Sequence, residues 1–220
     1  MSKTLLPFDK IEKLKIYRYS DEANVLFRKK AARRIQQCRG ELMFLLWDDA
    51  MTREKLKKLY KDMQKDAEKL LHDIAVRTYE DFVTDAQDED DPADEWMDQH
   101  VLKTPHPITS YEWTAEIERK LARLIEAVSA VKTAKSKSDA LLKYAKYFVT
   151  QFEYYSDIVT DEAILQAYKD CFVKKVKWVT VKDEKTCADC HERDGRIYKI
   201  EEIPVKPHPR CRCWIIPIDD

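Results

Sequence analysis

Residues 187–213 read CADCHERDGRIYKIEEIPVKPHPRCRC and hold four of the six cysteines of this 220-residue chain. Two residues separate Cys187 from Cys190. After a gap of seventeen residues, His208 and Cys211 repeat that spacing, and Cys213 follows closely. Two short pairs joined by a spacer of about 15–20 residues are typical of a tetrahedral zinc site, because each pair can sit on a tight turn and offer two ligands to one side of the metal. The sequence therefore predicts a metal site in this stretch.

The cysteines admit three other interpretations. Free cysteines are often buried as small hydrophobes, which suits Cys38 and Cys171 because both lie in amphipathic helical sequence. The other four could form disulfides, and Cys187-x-x-Cys190-His191 matches the motif that attaches c-type haem. No apolar signal segment opens the chain, so we expect synthesis in a reducing cytoplasm. That compartment disfavours both disulfides and haem attachment.

The composition narrows the class of protein. Charged residues make up 37% of the chain and hydrophobic residues 44%, which is typical of a helical protein in aqueous solution. No run approaches the roughly 20 apolar residues that span a membrane, and the net charge of -1 favours no particular partner. The only glycines are Gly40 and Gly195, so glycine-rich phosphate loops of the Rossmann or Walker type are absent. We therefore expect no membrane partner and no small-molecule substrate.

Residues 1–175 have the apolar spacing of amphipathic helices. Residues 85–98 interrupt this pattern with eight acids and no base, and we expect an exposed acidic loop over about residues 85–107. Helix starts are predicted where a short polar side chain can cap the helix, at Ser20, Thr52, Thr109, Ser136 or Ser138, and Thr160. We expect the last of these helices to end near residue 175.

The period of the sequence changes after that point. Residues 178–181, 196–200 and 213–216 are predicted to be short strands, and Asp194-Gly195 is a turn signal of the hairpin type. About forty residues of this kind bury little core, so a metal clip would stabilise them. The sequence predicts an α+β fold that is mostly α. Its helical body spans residues 1–175, and a small C-terminal zinc-clipped β/turn module spans residues 176–220.

The residue order within the module is distinctive. A tryptophan and an aspartate precede the first cysteine pair, Asp194-Gly195 follows it, and the module ends in His208-Pro-x-Cys-Arg-Cys213 and a further proline. Over about residues 176–218 this order resembles the tailed-phage head morphogenesis proteins, the family of the phage Mu minor head protein. No motif in the preceding helices adds to the resemblance. The residues that carry over are Trp178, Asp183, Cys187, Cys190, Gly195, His208, Pro209, Cys211, Arg212 and Cys213.

The resemblance implies a low-copy minor head protein, made in the bacterial host cytoplasm and present in the procapsid or virion. Its implied location is the portal vertex, and its implied partners are the phage portal and other head proteins. Its implied roles are capsid assembly and DNA packaging or ejection.

The five candidate ligands outnumber the four positions of a structural zinc site. We expect Cys187, Cys190, His208 and Cys211 to bind Zn²⁺, with Cys213 as the alternate. If Cys211 and Cys213 share a strand, their side chains point to the same face and either could reach the metal. Four protein ligands leave no position for water, so the site is predicted to be structural, with no catalytic residues.

Two other functions remain as alternatives. A metal-dependent nuclease of the His-Asn-His type would need a histidine base, such as His191, beside an open metal position. A non-specific DNA-binding protein would use the basic run at residues 10–39, which holds ten bases and three acids. The sequence favours a different interpretation of that run, a solvated helix face balanced by the acidic loop. The leading prediction is a structural and interaction protein without enzymatic activity.

Overall fold

The computed structural model describes residues 17–44, 49–85, 109–131, 133–170, 173–208, 211 and 213–218. Within them, four long helices precede a small sheet. The helices are α1 (Arg18–Phe44), α2 (Asp49–Asp85), α3 (Thr109–Ser129) and α4 (Ala134–Asp170). They are followed by β1 (Lys175–Val179), the short helix α5 (Ala188–Arg193), β2 (Ile197–Lys199) and β3 (Trp214–Ile218). The predicted mostly helical α+β fold is confirmed.

The helical body has one main apolar core. Helices α1, α2 and α4 pack against one another, and α3 packs against α2 and α4. The rings of Phe27 and Phe152 stack with centroids 4.0 Å apart, and the centroid of Phe148 lies 5.9 Å from that of Phe27. Leu56 and Leu124 are fully buried in the same cluster. The apolar residues that recur at helical spacing along the sequence therefore form the inner faces of the bundle.

The C-terminal sheet has the strand order β2-β1-β3, with both pairs antiparallel. Because side chains alternate across a strand, Val176 and Trp178 of β1 and Ile215 of β3 share one buried face. Val176 and Ile215 pack against Ile164 and Tyr168 of α4, so the sheet rests on the end of the longest helices. The strands begin within three residues of their predicted starts.

One of the predicted helix starts is wrong in an informative way. Thr160 does not cap a new helix, because α4 runs without interruption from Ala134 to Asp170. The Thr160 hydroxyl donates a hydrogen bond to the carbonyl of Ser156, 2.8 Å away and one turn earlier. A threonine that bonds backward in this way can remain inside a helix. Two predicted helices are therefore one, which ends five residues before the expected position.

Three other predicted starts shift by two to four residues. Helix α1 begins before Ser20 and α2 begins before Thr52, and both side chains are buried inside their helices. Helix α4 is capped by Thr133, whose hydroxyl oxygen accepts a hydrogen bond from the amide of Ser136 at 3.1 Å. Ser138 therefore lies inside the helix. Helix α3 begins at Thr109 as predicted.

Several predictions fall outside the described residues. Of the predicted acidic loop at about 85–107, Asp85 is the last residue of α2 and the rest is not described. The chain changes from helix to strand between residues 170 and 175, and the division into two domains stays a prediction. No helix in the described part of the chain is both long enough and apolar enough to cross a membrane.

Candidate metal centre

The first cysteine pair lies at the start of a helix. Cys187 is the N-cap of α5, and its sulfur accepts a hydrogen bond from the amide of Cys190 at 3.4 Å. One helical turn therefore orients both sulfurs toward the same side of the chain. The expectation of a tight turn is wrong here, although the two-residue spacing serves the same purpose on a helix.

The turn before α5 explains one residue of the resemblance. The carboxylate of Asp183 accepts hydrogen bonds from the amide of Lys185 at 3.0 Å and from the hydroxyl of Thr186 at 3.2 Å. The carbonyl of Asp183 also accepts from the amide of Thr186. Asp183 therefore shapes the turn that delivers Cys187 to the cluster.

The turn after α5 explains a second residue of the resemblance, Gly195. Gly195 has φ +75°, a conformation that favours glycine, and its amide donates to the carbonyl of Trp178 at 2.8 Å. The Asp194 carboxylate accepts from the amide of Thr180 at 3.0 Å. Asp194-Gly195 is a turn, as predicted, but it joins α5 to β2, so it is not a two-residue hairpin loop.

The second group of ligands comes from the loop between β2 and β3. His208 lies in that loop, Cys211 follows in irregular structure, and Cys213 directly precedes β3. Cys211 and Cys213 are buried. Neither residue lies in a strand, so the condition under which both would point to one face of a strand is not met, but both reach the same cluster.

The distances between donor atoms fit a tetrahedral metal. The Nε2 atom of His208 lies 3.1 Å from the sulfur of Cys187 and 4.0 Å from the sulfur of Cys190. The sulfurs of Cys190 and Cys211 are 3.5 Å apart. Ligand atoms around a tetrahedral zinc ion are about 3.5–3.8 Å apart, given the usual zinc–nitrogen and zinc–sulfur bonds. The distance between Cys190 and Cys211 lies in this range, and the two distances from His208 lie just below and just above it.

All five predicted ligands are brought together. They form two overlapping groups, Cys187, Cys190 and His208 in one and Cys190, Cys211 and Cys213 in the other. Within each group the donor atoms all lie within 4.8 Å of one another. Cys190 belongs to both groups and is the centre of what we call the cysteine–histidine cluster. This cluster could hold a metal ion.

The described cysteines are free thiols. The sulfurs of Cys190 and Cys211 are far beyond the roughly 2.05 Å of a disulfide bond. Cys38 is buried between helices as the sequence indicated, and burial raises the pKa of its thiol to about 11. Cys171 lies outside the described residues.

The electrostatics of the cluster differ from one thiol to the next. Burial raises the pKa of the Cys190 thiol to about 12. Hydrogen bonding with Cys213, together with burial, raises the pKa of the Cys211 thiol well above its ordinary value. For Cys187, burial acts in the same direction but is outweighed by the Cys190 amide and by His208, so the pKa is lowered. A divalent cation would stabilise all of these sulfurs as thiolates, and its binding would release protons.

An aromatic side chain closes the inner side of the cluster. Trp178 is buried and packs against Cys190, Cys211 and Cys213. The guanidinium of Arg193 lies 5.2 Å from the centroid of its ring. Within the described residues, the indole nitrogen of Trp178 has no hydrogen-bond partner. The tryptophan therefore belongs to the packing of the site, which gives a physical reason for its place in the resemblance.

A buried ionic contact near the cluster was not predicted from the sequence. Lys206 is 4% exposed, and its Nζ atom lies 3.1 Å from the carboxylate of Asp161 and 2.6 Å from the hydroxyl of Tyr17. Neither spacing nor composition distinguishes this lysine from the many exposed ones. Its burial depends on α1, α4 and the module meeting in three dimensions.

Several bases of the run within α1 pair with acids on neighbouring helices at the edge of the bundle. Arg28 pairs with the buried Glu153 of α4, and Lys30 and Arg34 both pair with Asp66 of α2. The acids that balance these residues lie on neighbouring helices, whereas the expected partner was the acidic loop. Lys29 and Arg33 are exposed.

The histidine of the nuclease and haem interpretations lies outside the cluster. His191 is exposed on α5 and belongs to neither group of potential ligands. His72 is also exposed, on α2, while His100 and His106 are not described.

Residues 112–216 match the family model described as Phage Mu protein F like protein. This region belongs to that family. The resemblance predicted from the module is thereby confirmed, and the match to the Phage Mu protein F-like family extends further, from within α3 through all of α4. Sequence reasoning missed this part because the helices show periodicity but no distinctive motif. No curated protein and no solved structure matches the chain significantly. The family indicates a phage head-related protein.

Proposed function

We propose that the chain is a minor head protein of a tailed phage or prophage, with a structural and interaction role at the portal vertex. The observation that carries the proposal is the family match, which includes every residue of the cysteine–histidine cluster. Its partners are the phage portal and other head proteins, and its location is the procapsid or virion. There it takes part in capsid assembly and in DNA packaging or ejection. The proposed role requires no catalytic residue.

Association with the portal tests this role. Full-length protein is mixed with purified portal protein and with assembling major head and scaffold proteins, and particles are separated by sedimentation. We expect the chain to co-sediment with portal-containing particles and to be depleted from particles assembled without portal. Equal recovery in both kinds of particle, or in neither, would contradict the portal role.

We also propose that the cysteine–histidine cluster binds one Zn²⁺ ion that stabilises the module. The ligands are Cys187, Cys190, His208 and Cys211, with Cys213 as the alternate. The ion would supply a fixed cross-link between α5 and the loop before β3, because a structural zinc site holds four protein ligands in place. The observed donor spacings of 3.1–4.0 Å support this assignment.

Elemental analysis of the purified protein tests the metal. We expect one zinc per chain in the wild type, loss of zinc in Cys190→Ser, and full zinc content in His191→Ala, which is the neighbouring control. Cys211→Ser and Cys213→Ser identify the fourth ligand. The variant that loses zinc lacks a ligand, and the variant that retains zinc shows that its substituted cysteine does not bind the metal. A zinc-free wild type would refute the metal assignment and leave the family assignment intact.

A further inference from the structure

Lys206 links the metal module to the helical body. It lies two residues before His208, so its position depends on the same loop that presents this ligand. Its side chain is 2% exposed and its Nζ atom contacts both Asp161 of α4 and the hydroxyl of Tyr17, as described above. Nζ also lies 4.1 Å from the centroid of the Tyr17 ring. The carbonyl of Lys206 accepts a hydrogen bond from the hydroxyl of Tyr154 at 3.3 Å.

Tyr17 contacts the module at a second point. Its hydroxyl lies 2.7 Å from the Asp161 carboxylate and 3.0 Å from the carbonyl of Cys213. Its own carbonyl accepts from the amide of Asp21 at 2.8 Å and so begins α1. One side chain at the start of α1 therefore touches both flanks of the second ligand group. We call Tyr17, Asp161 and Lys206 the polar junction.

The polar junction continues into the body. One turn further along α1, the hydroxyl of Ser20 lies 3.0 Å from the hydroxyl of Ser156 and 3.0 Å from the carboxylate of Asp157. The next turn adds Asn24, whose side-chain oxygen accepts from Ser156 at 3.1 Å. The start of α1 thus docks on α4 through a set of buried polar contacts, beside the apolar packing of Tyr19 and Ala23 in the main core.

Such contacts depend strongly on position. A buried ammonium or carboxylate is stable only while its partners keep their geometry, and moving one partner leaves the other charge unpaired. Apolar packing tolerates small shifts better. If the loop that carries His208 moves, Lys206 moves with it, and the contacts of Tyr17 and Asp161 are lost together.

We propose that the polar junction couples metal binding in the module to docking of the first turns of α1 on α4. This inference rests on the proposed zinc site. Coupling between two sites is reciprocal, so zinc stabilises the docked start of α1, and an intact junction increases the affinity for zinc. The metal therefore holds the two ends of the described chain together as well as shaping the module.

The first experiment measures zinc affinity by competition with a chromophoric chelator. Lys206→Met removes the positive charge of the junction but keeps an unbranched side chain at this position. We expect zinc affinity to fall about tenfold, within the range usual for coupled sites. Lys185→Met is the matched control, because Lys185 also lies two residues before a ligand but is exposed. We expect its affinity to equal that of the wild type. Tyr17→Phe, which removes only the hydroxyl, tests the junction if Lys206→Met does not fold.

The second experiment measures hydrogen exchange of residues 18–24. In the wild type, removing zinc should speed exchange in these first turns of α1 while the centre of α2 remains protected. In Lys206→Met, exchange there should already be fast with zinc bound and should change little on its removal. A wild type that binds no zinc would refute the metal site on which the coupling rests. If zinc binds equally to all variants and exchange of residues 18–24 is independent of zinc, the coupling is wrong and the metal site stands.

Discussion

The carboxyl group of Asp157 lies at the α1–α4 interface, where burial disfavours its charged form. Burial, reinforced by the neighbouring carboxylate of Asp161, raises its pKa to about 6, although Lys206 and the hydroxyl of Ser20 favour the charged form. A carboxyl whose pKa is raised by folding binds a proton more tightly in the folded state. The contribution of Asp157 to the free energy of unfolding is therefore most favourable below the unfolded pKa of about 4. It decreases as the pH rises to the folded pKa, above which the full cost of burying the charged carboxylate is present.

Asp157→Asn removes this penalty. Near pH 8 we expect the variant to be more stable than the wild type by an amount on the order of 1–3 kcal/mol, because a shift of about two pKa units corresponds to at most about 3 kcal/mol. Near pH 3, below the unfolded pKa of about 4, both forms of Asp157 are protonated and the two proteins should be nearly equal. Urea unfolding across this pH range measures the difference, with the exposed Asp139→Asn on the same helix as control. Stability curves that run parallel for the variant and the wild type would show that Asp157 is charged without penalty.

The cluster and the polar junction differ in how far sequence could reveal them. Cys187, Cys190, His208, Cys211 and Cys213 were all predicted, because metal ligands come in short local spacings that remain visible in one dimension. The junction was not, because Tyr17 lies 144 positions from Asp161 and 189 positions from Lys206 along the chain. A lysine or an aspartate becomes functional in this sense only through burial, which depends on how distant elements pack.

Helix α4 shows the same contrast at the level of secondary structure. The helical spacing of its apolar residues was visible in the sequence. Its single span of 37 residues was not predicted, because Thr160 and the serines near residue 136 were interpreted as helix starts. Hydroxyl side chains can cap a helix or bond back to the preceding turn, and only the packed structure decides between these roles. Helix α5, with six residues, is too short to produce a period at all.

The cap of α4 gives a direct test. Thr133→Ala removes the side-chain acceptor for the Ser136 amide and should cost about 1 kcal/mol of stability, the usual value for a lost N-cap. Lys135→Ala, in the same exposed turn, should be close to neutral. Chemical denaturation measures both. If Ser138→Ala lost more stability than Thr133→Ala, the N-cap of α4 would be Ser138, as the sequence indicated, and not Thr133.

The apolar packing of the described residues is divided unevenly between the body and the module. The body core includes residues from all four long helices, whereas the module contributes Val176, Ile200 and Ile215 to a smaller cluster on α4. Trp178 forms a further cluster with Cys190, Cys211 and Cys213. Stability should therefore be distributed unevenly, with the module more dependent on its metal than the body is on the module.

Chelation of zinc should destabilise the module while leaving the helical body folded. After zinc is removed, we expect fast amide exchange in β1, notably at Val176 and Trp178, while the helical circular dichroism signal stays nearly unchanged. Structural zinc contributes on the order of 10 kcal/mol in small zinc-dependent folds, which is more than a three-stranded sheet can replace. Restoring zinc should restore protection. Unchanged exchange in β1 of the metal-free protein would show that the sheet is held by its own core.

The contact between Tyr17 and the carbonyl of Cys213 joins positions 196 residues apart. On the ribosome, the opening turn of the first long helix emerges early and its partner emerges only after nearly two hundred further residues. Translation can complete the bundle's apolar interior before that partner exists, but not the attachment at position 17. The contact between Tyr17 and Cys213 can therefore form only after Cys213 has been synthesised, and a chain truncated before Cys213 would lack it altogether.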